Sequence, residues 1–179
     1  MKAMKKILAF ALAGVMALVL LTGCGTGSSA SHKSIAKAMA DYYRGVEYNP
    51  VEGNPNITCT SSPELDAKLQ SLAADPRFEA VVKAVYNKGP KFSLSDIPSG
   101  SVSVPANNVI YLYCGKYDKD AGTQVLNLNA HSACITTPNT DLADERKIGL
   151  ITTSFTDTNG KEVKVRFAVV VSDIPTATP

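Results

Sequence analysis

Ile148-Gly149-Leu150-Ile151-Thr152-Thr153-Ser154-Phe155-Thr156, then Asp157-Thr158-Asn159-Gly160, then Glu162-Val163-Lys164-Val165-Arg166-Phe167-Ala168-Val169-Val170-Val171 is the stretch from which the fold is read. Asn-Gly between two β-prone runs is a hairpin signal, because a tight turn needs a residue at ease with positive φ. Val163, Val165, Phe167, Val169 and Val171 alternate with Glu162, Lys164 and Arg166 in the early part of the second run. Period-2 alternation predicts one packed face and one partly wet face, hence an antiparallel sheet with helices on one side.

Upstream of this hairpin the period is helical. Ile35, Met39, Tyr42, Tyr43 and Val46 form one stripe of a helix from about Ser34 to Val46. Glu47 to Ser61, with two Asn-Pro pairs, reads as a loop. Ser62-Pro63-Glu64 supplies an N-cap, a proline at the first helical position and an early acid, and Leu65, Leu69 and Leu72 follow. Asp75-Pro76 repeats that start ahead of Phe78, Val81, Val82, Val85 and Tyr86, and Asn87-Lys88-Gly89-Pro90 closes the element. Ser101–Val104, Val109–Cys114 and Thr123–Asn129 then read as strands, the last two joined by a turn around Asp118–Gly122. The expected fold class is α+β, with N-terminal helices followed by an antiparallel β-sheet that ends in a long C-terminal hairpin.

The first residues have a different purpose. Lysines open the chain in MKAMKK, and an unbroken apolar run of 15 residues extends from Ile7 to Leu21. As a helix that run would be about 22 Å long, short of the ~30 Å of a bilayer core, so it reads as a secretory signal and not as a span. Leu21-Thr22-Gly23-Cys24 closes it and resembles the lipobox of bacterial lipoproteins. That resemblance implies a diacylglyceryl group on the Cys24 thiol and cleavage before it, leaving a protein lipid-anchored on the extracytoplasmic face of the cell membrane. The expected organisation is a signal peptide over 1–23, a flexible tether over 24–33, one extracytoplasmic domain over 34–174 and a frayed tail over 175–179.

At 179 residues with 45% hydrophobic and 19% charged positions, the chain suffices for one core. Its mean hydropathy is +0.01. The formal charge of +2 includes Lys2, Lys5 and Lys6 of the leader; removing them leaves fifteen basic residues against sixteen acidic ones, a net charge of −1. Such a surface has no basic field to gather phosphates, which argues against nucleic acid as a partner. Neither a metal nor a cofactor is expected.

Candidate chemistry is sparse. Cys59, Cys114 and Cys134 remain beside Cys24. A Cys114–Cys134 disulfide would close a loop of ~20 residues, worth roughly 3 kcal/mol on the chain-entropy model. Buried free thiols are the competing reading, and no Cys-x-x-Cys clip invites a metal. His131 stands three residues before Cys134, a spacing that on a helix could pair a thiol with a base, and on a strand would separate them. Asp118-Lys119-Asp120-Ala121-Gly122 carries two carboxylates but reads first as a solvated turn. Ser34-Ile35-Ala36-Lys37 matches Ser-x-x-Lys without the companion elements that chemistry requires. Tyr42, Tyr43, Tyr48, Tyr111 and Tyr113 suit either a carbohydrate or peptide surface or the margin of a core.

The segment Leu126-Asn127, His131-Ser132-Ala133-Cys134-Ile135, Pro138-Asn139 and Ile148-Gly149-Leu150 resembles the end of a CAP (SCP-like) domain. Of that family's site only His131 carries over, as a cleft residue, so the resemblance implies a domain lacking the complete paired-histidine cavity. The order of leader, helix and hairpin is also similar to pilin-like subunits, although the lipobox is not theirs. The functional expectation is a membrane-anchored binding or interaction module rather than an enzyme, with an enzyme or degenerate enzyme of CAP type that depends on His131 as the alternative. It would be attached to lipid through Cys24 and would engage an envelope protein or a small ligand.

Overall fold

The computed structural model describes residues 30–46, 56–75, 77–88, 108–134 and 143–173. The signal peptide, Cys24, the expected strand Ser101–Val104 and the tail 175–179 lie outside the described residues. The elements in chain order are α1 (His32–Val46), β1 (Thr58–Ser61), α2 (Pro63–Ala73), α3 (Phe78–Lys88), β2 (Asn108–Lys116), α4 (Ala121–Asn129), β3 (Ser132–Cys134), β4 (Glu145–Thr156) and β5 (Glu162–Asp173). The fold class is α+β, as the sequence predicts.

The C-terminal hairpin forms as expected. β4 and β5 pair antiparallel from Arg146↔Ser172 to Thr156↔Glu162. Gly160 turns the chain at φ +77°, a conformation that a side chain would strain. Asp157 organises the turn: its Oδ1 accepts from the N–H groups of Asn159 (2.8 Å) and Lys161 (2.9 Å). The five strands lie in the order β1-β4-β5-β2-β3. All neighbours are antiparallel except β1 and β4, which run parallel from Thr58↔Glu145 to Ser61↔Ile148. The end of the expected loop, Thr58–Ser61, is therefore an edge strand of the sheet among the described residues.

Helices cover both faces, not the single face expected. The polar alternation that suggested a wet face stops at Arg166, because Ala168 and Val170 continue the same parity with apolar side chains. On one face Leu69 of α2 and Phe78, Val81, Val82 and Val85 of α3 pack on Ile110, Leu112, Ile151, Phe155 and Phe167. On the other, Ile35, Met39 and Tyr43 of α1 and Val125 and Leu128 of α4 pack on Tyr113, Ile148, Leu150, Ala168 and Val170. Fully burying each such large side chain contributes about 1.5–3 kcal/mol.

The predicted start of α2 is used, whereas α3 begins at Phe78, beyond the Asp75-Pro76 pair, of which Pro76 lies outside the described residues. Ser62 caps α2, its Oγ accepting from Leu65 N–H at 3.3 Å, with Pro63 at the first position. Asp75 receives the Arg77 N–H at 2.9 Å and its guanidinium immediately before α3. The first helix begins at His32, ahead of Ser34, and Ala30 N–H donates to Lys119 O at 2.9 Å. The folded body thus reaches into the segment expected to be tether.

Thr123–Asn129 is a helix and not a strand. Asp120 caps α4 by accepting from Thr123 N–H at 2.8 Å, and the buried side chains Gln124, Val125 and Leu128 share a helical face while Leu126 is 63% exposed. Gln124 closes the turn from β2, its Oε1 accepting from Asp118 N–H at 2.8 Å and its Nε2 donating to Lys116 O at 3.1 Å. The helix lies so close to β2 that a Cβ on Gly115 would meet the Asn127 and Leu128 backbone at 2.4–2.5 Å.

Gly115→Ala is therefore expected to lower stability by about 1–3 kcal/mol, since a helix backbone must move to admit the methyl. Gly45→Ala, where nothing lies within 4 Å of the added carbon, should leave stability unchanged or raise it by up to about 1 kcal/mol. Urea unfolding of both variants checks the contrast.

Candidate functional site

Helix α2 crosses the sheet at Gly149, where a Cβ would lie 2.4 Å from Leu65 Cβ. This close approach seats Leu65 on β4. Beyond it, toward the start of β2 and the end of β5, a cleft of about 550 Å³ opens over the sheet, a size suited to a small ligand or a short segment of chain. Ile110, Val171 and Leu65 supply its apolar lining, and Thr58, Lys68 and Asp173 stand among its polar groups. Lys68 Nζ pairs with Glu64 Oε1 at 3.0 Å along α2, and the Lys68 side chain is only 18% exposed. At the far end Asn108 Nδ2 donates to Asp173 Oδ1 at 2.9 Å. Both signs of charge are present, held on regular elements, so the cleft can bind by paired hydrogen bonds more readily than by a single-sign field.

Behind the same strands, on the α1 face, polar groups are buried together. The Arg146 guanidinium lies 4.2 Å above the Tyr43 ring, and its Nε donates to Ala143 O at 3.0 Å. The Tyr43 and Tyr113 hydroxyls are 2.6 Å apart, and Tyr113 stacks on Tyr111 at 6.1 Å. Burial and the neighbouring Tyr113 raise the Tyr43 phenol well above its ordinary range. Burial raises the Tyr113 phenol too, although its bond to Tyr43 opposes this. The tyrosines predicted for a surface or a core margin thus divide: Tyr43 and Tyr113 are core, while Tyr48 lies outside the described residues.

Burial holds the Cys59 and Cys114 thiols protonated. Burial pushes Cys59 up to about 12, against a lowering pull from Arg146, and burial alone does the same to Cys114. Both are free thiols. Of the Cys114–Cys134 pair weighed from sequence, Cys114 is free and the Cys134 side chain lies outside the described residues; β3 pairs in a register that sets Cys134 opposite Tyr111, three residues from Cys114. His131 lines neither this cleft nor the groove beside α1. Its ring stacks on Tyr86 at 4.5 Å and 18°, Tyr86 in turn meets Phe155 at 5.1 Å, and its carbonyl accepts from Cys114 N–H at 3.1 Å.

His32, expected in the tether, instead holds Asp66 Oδ2 through Nδ1 at 2.7 Å, while Asp66 Oδ1 accepts from Leu150 N–H at 2.7 Å. The carboxylates of Asp118 and Asp120 are engaged in turn and cap bonds. Among the described residues no group of three His, Cys, Asp or Glu side chains is placed to hold a metal ion.

Sequence reasoning missed Arg146, Lys68 and Asp173. Arg146 had a signal, since it shares the parity of Ile148 and Leu150 and so had to enter the core with them. Lys68 and Asp173 had none; they meet only through the sheet order. The chain matches no protein-family model, no curated protein and no solved structure.

The buried thiols set a pH dependence. Their ordinary value is 9.0, and the fold raises both to about 12. Above pH 9 the unfolded chain loses thiol protons that the folded chain keeps, so stability falls as pH rises from about 9 to 12, by up to about 1.4 kcal/mol per pH unit for each thiol. Below pH 9 their contribution is level. Urea unfolding across pH 7–11 should show this slope reduced in Cys114→Ala.

Proposed function

We propose that this chain is an extracytoplasmic lipoprotein, held to the cell membrane by acylated Cys24, whose α+β domain serves as a binding module. One observation carries the reading: Leu21-Thr22-Gly23-Cys24 ends an apolar run, and Ala30, only six residues later, is already held against the domain by Arg166 and Lys119. Those six residues reach at most about 22 Å, so an acylated Cys24 keeps Ala30 close to the lipid surface. Two acyl chains provide the stable attachment that one chain does not. Among the described residues no helix is long and apolar enough to cross a membrane.

The geometry supports a binding role for the far end. Arg166 clamps Ala30, its Nη1 and Nη2 donating to Ala30 O at 3.1 and 3.2 Å, near the Lys116 end of β2. The cleft opens at the Asn108 end of the same strand. Eight residue steps of ~3.4 Å separate the two ends by roughly 27 Å. In the anchored protein the cleft therefore lies away from the point of attachment, accessible to an envelope protein or a small ligand.

Membrane fractionation of the wild type and Cys24→Ser tests the anchor. The wild type should sediment with membranes, and its intact mass should show loss of residues 1–23 and gain of a diacylglyceryl group. Cys24→Ser should retain the leader and gain no lipid. A wild-type mass without lipid overturns the proposal.

A further inference from the structure

Strand β1 is the outermost strand on its side of the sheet among the described residues. Along a strand the backbone groups of successive residues point alternately to the two sides. Thr58 N–H donates to Asp144 O and Ser62 N–H to Ile148 O, both at 2.8 Å. Thr58, Thr60 and Ser62 therefore face β4, and Cys59 and Ser61 turn their N–H and C=O groups to the open edge. Such an edge is a template for a further strand.

Both faces beside that edge are hollow. On one side a groove of about 450 Å³ runs between β1 and α1, with small Ala36 and Ala40 giving it depth and Lys33, Lys37 and Arg44 along it. On the other side the cleft offers Thr58, Thr60, Leu65 and Lys68. Side chains of an added strand alternate in direction, so they would enter the two hollows in turn.

Charge selects the occupant. Asp41, exposed on α1, pairs with Lys37 at 3.0 Å and Arg44 at 2.8 Å, so Lys33, Lys37, Arg44 and Asp41 together carry two net positive charges. Among the described residues no carboxylate lines the groove. In the cleft, Glu64 balances Lys68. A second copy added edge to edge would bring another Lys33, Lys37 and Arg44 against the first, and like charges at an interface disfavour that pairing.

We propose that the open edge of β1 takes an extended acidic segment of a partner protein as an added strand, with its carboxylates on the α1 side. This rests on the reading of the domain as a binding module and identifies the partner as a peptide chain.

The test uses the full chain in detergent, with two capped eight-residue probes, one alternating glutamate and threonine, the other lysine and threonine. Fluorescence anisotropy reads affinity, and amide hydrogen exchange reads the edge. The acidic probe should bind and slow exchange at Cys59 and Ser61, and the basic probe should not. Lys33→Glu combined with Lys37→Glu should weaken the acidic probe by about tenfold or more, the loss expected for reversing two rim charges. Ser61→Pro removes an outward N–H without touching the β4 ladder and should weaken it too. If that variant does not fold, the charge reversal on the α1 surface decides alone.

Absence of acidic-probe binding, equal binding of both probes, or binding indifferent to charge reversal overturns the proposal. So does protection of Cys59 and Ser61 that grows with protein concentration in the absence of probe, which would give the edge to a second copy. Attachment through Cys24 is read separately by fractionation, so failure of either claim is distinguishable from failure of the other.

Discussion

The constraint on which this structure depends is that β5 is apolar at both parities from Phe167 to Val170, with Val165 extending one of them. Val165, Phe167 and Val169 need one cover, and Ala168 and Val170 need another. A strand buried on both faces cannot lie at the surface of a two-layer fold. The sheet therefore occupies the middle, with α2 and α3 on one side and α1 and α4 on the other. β4 and β2 flank β5 and share its burial. The glycines follow from the same closeness: Gly115 and Gly149 mark where α4 and α2 press nearest to the strands they cover.

Two arginines show how such a core tolerates charge. Arg146 and Arg166 are 1% and 3% exposed, both on the α1 face. Each lies over an aromatic ring, Tyr43 at 4.2 Å and Tyr117 at 5.1 Å, and each donates to a carbonyl. A guanidinium suits this role because its planar face stacks while its edge keeps directional donors. The consequence differs between them. Arg146 supports the strands behind the cleft, and Arg166 fastens Ala30, two residues ahead of α1. The Tyr43–Tyr113 bond and the protonated Cys59 complete this polar part of the interior.

Those surfaces are consequences of topology. Because β1 joins the sheet parallel to β4 after α1 and before α2, it ends between two helices, with a hollow on each side. Its four residues, Thr-Cys-Thr-Ser, are too short and too polar to close the edge by themselves. Attachment at the Ala30 end and recognition at the other end of β2 and β5 would then be separated by the length of the central strands.

Local chemistry was legible wherever one residue type forced one conformation. Asn159-Gly160 forced the turn, Ser62-Pro63 forced a helix start, and Phe78, Val81, Val82 and Val85 at helical spacing could bury together only on one stripe. The proposed lipobox is likewise a matter of four adjacent residues, Leu21 to Cys24. Where the pattern served two periods, tertiary packing decided: Thr123–Asn129 alternates well enough for a strand, yet Asp120 and Gln124 fix a helix that exposes Leu126. The fate of Cys114, the stacking of His131 on Tyr86 and the edge position of β1 were decided by register and strand order. Those are contacts between residues far apart in the chain, and short-range patterns, which record how each segment buries its own apolar face, hold no information on which segment will lie beside it.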